Sequence, residues 1–293
     1  MAKSIWKRDV CKSMDEIVYH YCSVDAFFNI IKNSSMWLSD IEKSNDYQEC
    51  VRCREFVNKG MEEYLRDDVE ALKAWRMWYE NGVDSSFSMK TFCVCFSESK
   101  DKLSQWRGYA HDGKGIAIGF DKRVFVELNQ ISEFHTAFGK VIYDNPQEYV
   151  QGIIEHNIKK LEYKSVEHVA LELSENYRMQ FPFVKNPGFE EEKEWRAVVC
   201  SAIGHYNIPS SENILFSKVK YRTANNKLIP YIEMNFERVK QSIIKEIFIG
   251  PKSEVEVEDI VNLLSFYGYY DGIEGGYNSQ HPVTIKKSST TYR

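Results

Sequence analysis

The stretch Lys185–Val199, KNPGFEEEKEWRAVV, decides how the chain is read. It opens with a turn, Asn186-Pro187-Gly188, and then sets Glu190, Glu191, Glu192 and Glu194 within five residues. It closes as Trp195-Arg196-Ala197-Val198-Val199, the pattern of a strand running into a core. Side chains alternate across a strand. A strand beginning near Glu192 would put Glu192, Glu194 and Arg196 on one face, with Lys193, Trp195 and Ala197 on the other. Two carboxylates and a guanidinium on one face point to a site. A charged edge strand that resists aggregation accounts for the same residues.

The surrounding composition bounds the class. A chain of 293 residues with 43% hydrophobic and 28% charged content is long enough to bury a large core. No apolar run approaches the roughly 18 residues of a membrane span. The N-terminus, MAKSIWKRDVCKSMDE, has no apolar signal core, so a cytoplasmic protein is expected. Seven cysteines fit a reducing compartment better than a disulfide scaffold. A formal charge of −5 excludes a broadly basic nucleic-acid coat but leaves room for a local groove.

Working outward toward the N-terminus, Glu16–Cys22 alternates as a strand carrying His20, and Ser23 caps the helical run VDAFFNIIKN. Met36–Ser39 follows as a second short strand. Asn45 and Asp46 can cap a helix from Glu49 to about Tyr79, with a break expected near Asn58-Lys59-Gly60. Cys50 and Cys53 form a CxxC with no second pair, so no metal is expected. Thr91–Ser97 is an apolar strand ending in serine. Leu103–Ala110 is a helical turn, with Trp106 and Tyr109 expected on one side of it. The glycines of His111–Gly115 form neither GxGxxG nor a P-loop, which rejects the ordinary nucleotide folds. A helical block runs from about Gln147 to Met179. Beyond the acidic stretch come a hairpin around Thr223–Asn226, a buried strand at Ile244–Gly250, an amphipathic helix at Glu256–Tyr267 and a last strand at Pro282–Lys286. One α+β domain over residues 1–293 follows, with a central mixed or split sheet and helical insertions at about 49–80 and 147–180.

The segments YHYCS, NDYQE, CFSESKD, QWRGYAHDGKGIAIGF, FEEEKEWRAV and IFIGP, with an S-x-x-x-YR-like ending, occur in this order. Together they resemble the prokaryotic family catalogued as domain of unknown function two-nine-seven-one, from about Val18 to Arg293. Members of that family tend to have Pro before the final Tyr-Arg, where this chain has Thr291. More distantly, His on a first strand, Tyr after a later one and Glu on a third resemble the His-Tyr-Glu signature of ADP-ribosyltransferases. The layout YHYCSVDAFFNIIKNSSMWLS is similar to the opening of DNA-targeting members. Glu192-Lys193-Glu194 is similar to a Glu-x-Glu loop of other members.

That second resemblance implies a split sheet of ADP-ribosyltransferase type and a reaction in which NAD⁺ is the substrate. Glu194 would stabilise the positive ribose, with Glu192 assisting or deprotonating the acceptor. His20 would orient the adenosine ribose, and Tyr21 would lie beside it. Tyr109 or Trp106 would stack on nicotinamide. Ser97 would bond the carboxamide or brace Glu194, and Arg196 would hold a phosphate or fix the carboxylates. Asn45, Asp46 and Glu49 would contact the substrate. The implied protein is a toxin or anti-phage effector that modifies a base of DNA or RNA, with an antitoxin or chaperone as a possible partner. Glu194→Gln is expected to keep the fold and abolish NAD⁺ turnover. Two other readings stand beside it. One is a nuclease holding Mg²⁺ with Asp46, Glu49, Glu192 and Glu194. The other is a binding module without chemistry.

Overall fold

The computed structural model describes residues 16–43, 47–84, 89–131, 135–202, 215–224, 226–269 and 283–292. Strand β1 (Ile17–Cys22) leads into helix α1 (Val24–Asn33), whose start is capped by the Ser23 hydroxyl accepting from the Ala26 N–H at 3.2 Å. Phe27, Ile30 and Ile31 form the buried stripe of α1, and the left-handed Ser34 ends it before β2 (Ser35–Asp40). Helices α2 (Tyr47–Leu65) and α3 (Val69–Asp84) follow, then β3 (Met89–Ser97), α4 (Leu103–Tyr109) and β4 (Ile116–Asp121). Next come α5 (Lys122–Ile131), β5 (His135–Lys140), α6 (Pro146–Lys160), α7 (Val166–Met179) and β6 (Glu194–Ala202). The expected hairpin is β7 (Lys220–Ala224) and β8 (Lys227–Asn235). The described chain closes with α8 (Lys240–Ile243), β9 (Ile244–Ile249), α9 (Val257–Phe266) and β10 (Thr284–Lys287).

The ten strands build one mixed sheet, in the order β10-β9-β4-β1-β3-β2-β8-β7, with β6 and then β5 branching from β3. The expected α+β class holds. Strand β6 pairs β3 along its whole length, from Met89↔Ala202 to Ser97↔Glu194. That leaves β3 one free edge, and two strands share it. Strand β1 meets it at Tyr19↔Ser97, and β2 meets it at Ser39↔Cys93 and Asp40↔Phe92. Both run antiparallel to β3, so they cannot both continue along it. They diverge, and the sheet opens beside Val94–Phe96.

Alternation assigns each face its own core. Val18, Phe92, Phe96, Ile118 and Trp195 join the buried residues of α1, α5 and α9 in the main core. On the opposite face Tyr19, Tyr21, Ala117 and Phe248 pack around Trp106. The two helical insertions form a single packed unit, because Val57, Met61, Trp75, Ile154 and Leu173 from α2, α3, α6 and α7 share one core.

Three boundaries differ from expectation. Helix α2 runs unbroken through Asn58–Gly60 and stops at Leu65. A Cβ on Gly60 would meet Ile154 Cδ1 at 2.8 Å, so this glycine lets α6 approach closely instead of ending the helix. The helical block near 147–179 is two helices, separated at 161–165. Strand β6 starts at Glu194, because Glu192 belongs to a 3₁₀ turn and Lys193 is left-handed at φ 46°.

Candidate active site

The 3₁₀ turn Pro187–Glu192 is what assembles the site. Asn186 Oδ1 accepts from the Gly188 N–H at 2.8 Å and fixes its start, and the left-handed Lys193 turns the chain into β6. The reversal brings Lys185, which precedes the turn, back over the carboxylates that follow it. Lys185 Nζ lies 2.6 Å from Glu192 Oε2 and 3.1 Å from Glu194 Oε2. Arg196 falls on the same face of β6 as Glu194 and grips it with two bonds, Nε at 2.8 Å and Nη2 at 3.0 Å. Its Nη1 donates to the Pro182 carbonyl. The Tyr143 hydroxyl accepts from the Glu194 N–H at 3.1 Å, and the Tyr109 hydroxyl donates to Glu192 Oε1 at 3.0 Å.

The cluster is layered by depth. Glu194, Arg196 and Lys185 are 4%, 1% and 2% exposed, so they form a buried ionic base. Glu192 is partly open, and Tyr109 is 51% exposed. Burial raises the Glu194 carboxyl, but Arg196 and then Lys185 outweigh it and hold the group at about 2. Burial works against the Arg196 charge too, and Glu194 overcomes it, holding Arg196 above its ordinary range. The Tyr109 hydroxyl is pushed up, by burial first and then by the Glu192 charge, so it stays protonated and donates. A bond to Cys93, burial and the nearby Glu194 all raise the Cys95 thiol.

The expected residues divide into three groups. Glu192, Glu194, Arg196 and Tyr109 converge. Glu194 and Arg196 do so as a closed pair, so the expected phosphate contact by Arg196 is replaced by its grip on Glu194. Ser97, Tyr21 and Trp106 are buried supports with no open surface for a ligand. The Ser97 hydroxyl donates to the Glu192 carbonyl at 2.6 Å and so braces Glu192, where bracing of Glu194 was expected. The Tyr21 hydroxyl donates to the Ser99 carbonyl at 2.6 Å, and its ring meets Trp106 edge-on at 4.8 Å. Trp106 gives its indole N–H to Asp101 at 2.7 Å, so it cannot compete with Tyr109 as a stacking surface. A helix places positions three apart on neighbouring but distinct directions, which is how one ring is buried and the other exposed.

His20 stands apart. It alternates with Val18 and Cys22 toward the main core, and its ring meets Phe96 edge-on at 5.9 Å. Glu194 lies on the opposite face, with Ser97 and Tyr19. His20 Nδ1 sits 2.9 Å from the Cys95 carbonyl, the backbone acceptor at the sheet opening. A carbonyl only accepts, so Nδ1 carries the hydrogen and Nε2 keeps a lone pair. Burial lowers the histidine from its ordinary value, the Cys95 bond offsetting part of that, which keeps the ring neutral. Asn45 and Asp46 lie outside the described residues, as does the side chain of Glu49.

Lys185, Tyr143 and Asp101 are the working residues that strand alternation did not select. Lys185 was the detectable one: a lysine just before an Asn-Pro-Gly turn and a run of acids is returned to those acids by the turn. Among the described residues no group of three or more His, Cys, Asp or Glu has the arrangement of a metal site.

A family described as a protein of unknown function (DUF2971) matches residues 105–197. That is about a third of the chain, so the match is narrower than the Val18–Arg293 span of the sequence resemblance. It nevertheless runs from α4 to the first residues of β6 and contains Tyr109, Lys185, Glu192, Glu194 and Arg196. His20 and Ser97 fall outside it. No curated protein and no solved structure matches the chain. Among the described residues no helix is long and apolar enough to cross a membrane.

Proposed function

We propose that the chain is a mono-ADP-ribosyltransferase that moves ADP-ribose from NAD⁺ to a nucleic-acid base. The observation that carries this reading is the Tyr109–Glu192 pair, an exposed tyrosine bonded to a partly open carboxylate above a buried ionic base. Breaking the nicotinamide–ribose bond leaves positive charge on the ribose. A fixed carboxylate beside that carbon stabilises the charge as it develops. Glu192, held by Lys185 and Tyr109, suits this role better than Glu194 because it is partly open while Glu194 is buried against Arg196. Tyr109 offers a ring next to the carboxylate on which nicotinamide can stack. Nicotinamide leaves, a bond from ribose C1′ to the acceptor base forms, and the acceptor's proton passes to a base or to solvent.

The opening between β1 and β2 supports the split-sheet architecture of that enzyme class. His20 Nε2 can accept from a ribose hydroxyl there. Because His20 and Glu194 lie on opposite faces, a dinucleotide that reaches both His20 and Glu192 must pass through the opening. An enzyme of this kind acting on its host's nucleic acid would be toxic, which fits a toxin or anti-phage effector kept in check by a partner protein.

The nuclease alternative draws on the same carboxylates, which already have cationic partners in Lys185 and Arg196. The test is release of nicotinamide from NAD⁺ labelled in its adenylate, in the presence of DNA, RNA and cell lysate. The wild-type protein is expected to release nicotinamide and transfer label. Divalent-dependent cutting with no NAD⁺ consumption would replace this reading with the nuclease.

A further inference from the structure

The β2–β8–β7 end of the sheet carries a second group of residues that the proposed chemistry does not use. Trp37 and Ser39 of β2, Tyr231 of β8 and Arg222 of β7 share one face, as the register pairs Trp37↔Glu233, Ser39↔Tyr231 and Arg222↔Ile229 require. The Trp37 and Tyr231 rings lie 4.5 Å apart at 35°. The Arg222 guanidinium stands 5.6 Å from the Trp37 ring and donates to the Ser39 hydroxyl at 3.2 Å. Even with both neighbours against it, Trp37 is 43% exposed, enough to leave ring surface open to a ligand.

Arg222 is the unusual member. Among the described residues its Nε is shielded from solvent and makes no hydrogen bond, and the partners recorded for the guanidinium are the Ser39 hydroxyl and the Trp37 ring, neither of them an anion. A cation held without a counterion favours an arriving anion. The hairpin adds to this: Phe216–Asn235 contains Lys218, Lys220, Arg222 and Lys227 against the single acid Glu233, in a chain whose net charge is −5. Lys220 is neutralised by Glu233, and Lys218 and Lys227 are exposed. At its inner end the face borders the sheet opening, where the β2–β3 register stops at Ser39↔Cys93.

We infer that this face binds single-stranded nucleic acid, with an unstacked base on Trp37 and a backbone phosphate at Arg222. An aromatic ring beside a cation is the arrangement that holds single strands without reading their sequence, since every base has a π-face. A duplex keeps its bases stacked on one another and cannot use the ring. The inference deepens the proposed function by giving the acceptor strand a place on the sheet, and it rests on that function only for the strand's role. Binding itself needs no NAD⁺.

The test is fluorescence anisotropy of a labelled single strand of about 20 nucleotides, as DNA and as RNA, with the whole chain and no NAD⁺. Trp37→Ala and Arg222→Gln are each expected to weaken binding about tenfold. Arg222→Gln should also reduce the salt dependence by about one ion. Trp37→Leu, which keeps an apolar side chain against Tyr231, should lose the same affinity with an unchanged urea midpoint. Tyr221→Ala, on the opposite face of β7, should bind like the wild type. No binding by the wild type at low salt, equal affinity for duplex and single strand, or wild-type affinity in both the Trp37→Ala and Arg222→Gln proteins overturns the inference. So does a dimer that Trp37→Ala disperses, because the face would then be a contact between copies. Nicotinamide release without strand binding would sink this inference alone, and strand binding without release would sink the transferase alone.

Discussion

Glu192 and Glu194 are two residues apart and have opposite duties. Glu194 is locked between Arg196 and Lys185, and Glu192 reaches the surface beside Tyr109. Glu194→Gln removes the anion from a buried ionic group, strands the buried Arg196 and leaves Lys185 with Glu192 alone, a loss expected to cost about 3–5 kcal/mol. It should show as a large fall in the urea midpoint at neutral pH, so the informative catalytic substitution is Glu192→Gln. The pH dependence has a definite sign. The Glu194 carboxyl is at about 2 when folded, against 4.5 ordinarily. A depressed acid contributes stability that is complete above the unfolded value and is lost as pH falls through the folded one. The shift corresponds to about 3 kcal/mol. Wild-type stability should therefore drop steeply between about pH 5 and about pH 2, and Glu194→Gln should flatten that drop. Equal acid sensitivity in the two proteins would remove the ionic-base account. Alternation along Glu194–Ala197 was legible in the sequence. Lys185 was not selected, because its contact depends on how tightly the Pro187–Glu192 turn reverses.

At the scale of elements, α4 presents Tyr109 to Glu192, and Asp101 holds α4 in place. Asp101 accepts from Trp106 and from the hydroxyls of Ser288, Ser289 and Thr290, tying the C-terminal segment to the start of α4. Tyr292 adds a bond to Asp112. Asp101→Ala leaves a fully buried indole N–H without its partner, which costs about 1–3 kcal/mol. It should also release residues 288–292 to faster hydrogen exchange. An unchanged exchange rate there would mean that the segment is held by other contacts. Strands and helices with clean periods, such as Glu16–Cys22, the Ser23-capped helix and the β7–β8 hairpin, were readable from residue order. The continuity of α2 was not. Gly60 looks like a helix breaker in sequence, and only the approach of Ile154 from α6 reveals its purpose. The depths of Trp106 and Tyr109 likewise depend on what packs over α4.

At the scale of the whole molecule, the described residues form a ten-stranded mixed sheet and a helical unit that has its own core. The α+β class followed from the alternation of apolar runs and helical periods; the strand order did not. Nor did the opening beside Val94–Phe96, because it arises from long-range register, with β1 and β2 competing for one edge of β3. The placement of His20 follows from the same opening. His20→Ala is expected to raise KM for NAD⁺ about tenfold and to change kcat little, since a ribose hydrogen bond present in both ground and transition states is uniform binding. A loss confined to kcat would assign His20 to the chemical step instead. The most direct test of the central claim is nicotinamide release from NAD⁺ by the wild-type protein and by Glu192→Gln, with DNA and RNA present. The account predicts release and label transfer by the wild type, a fall of about a hundredfold or more in Glu192→Gln, and a urea midpoint that falls less in Glu192→Gln than in Glu194→Gln. A wild type that leaves NAD⁺ intact, or a folded Glu192→Gln protein that turns it over at the wild-type rate, would contradict it.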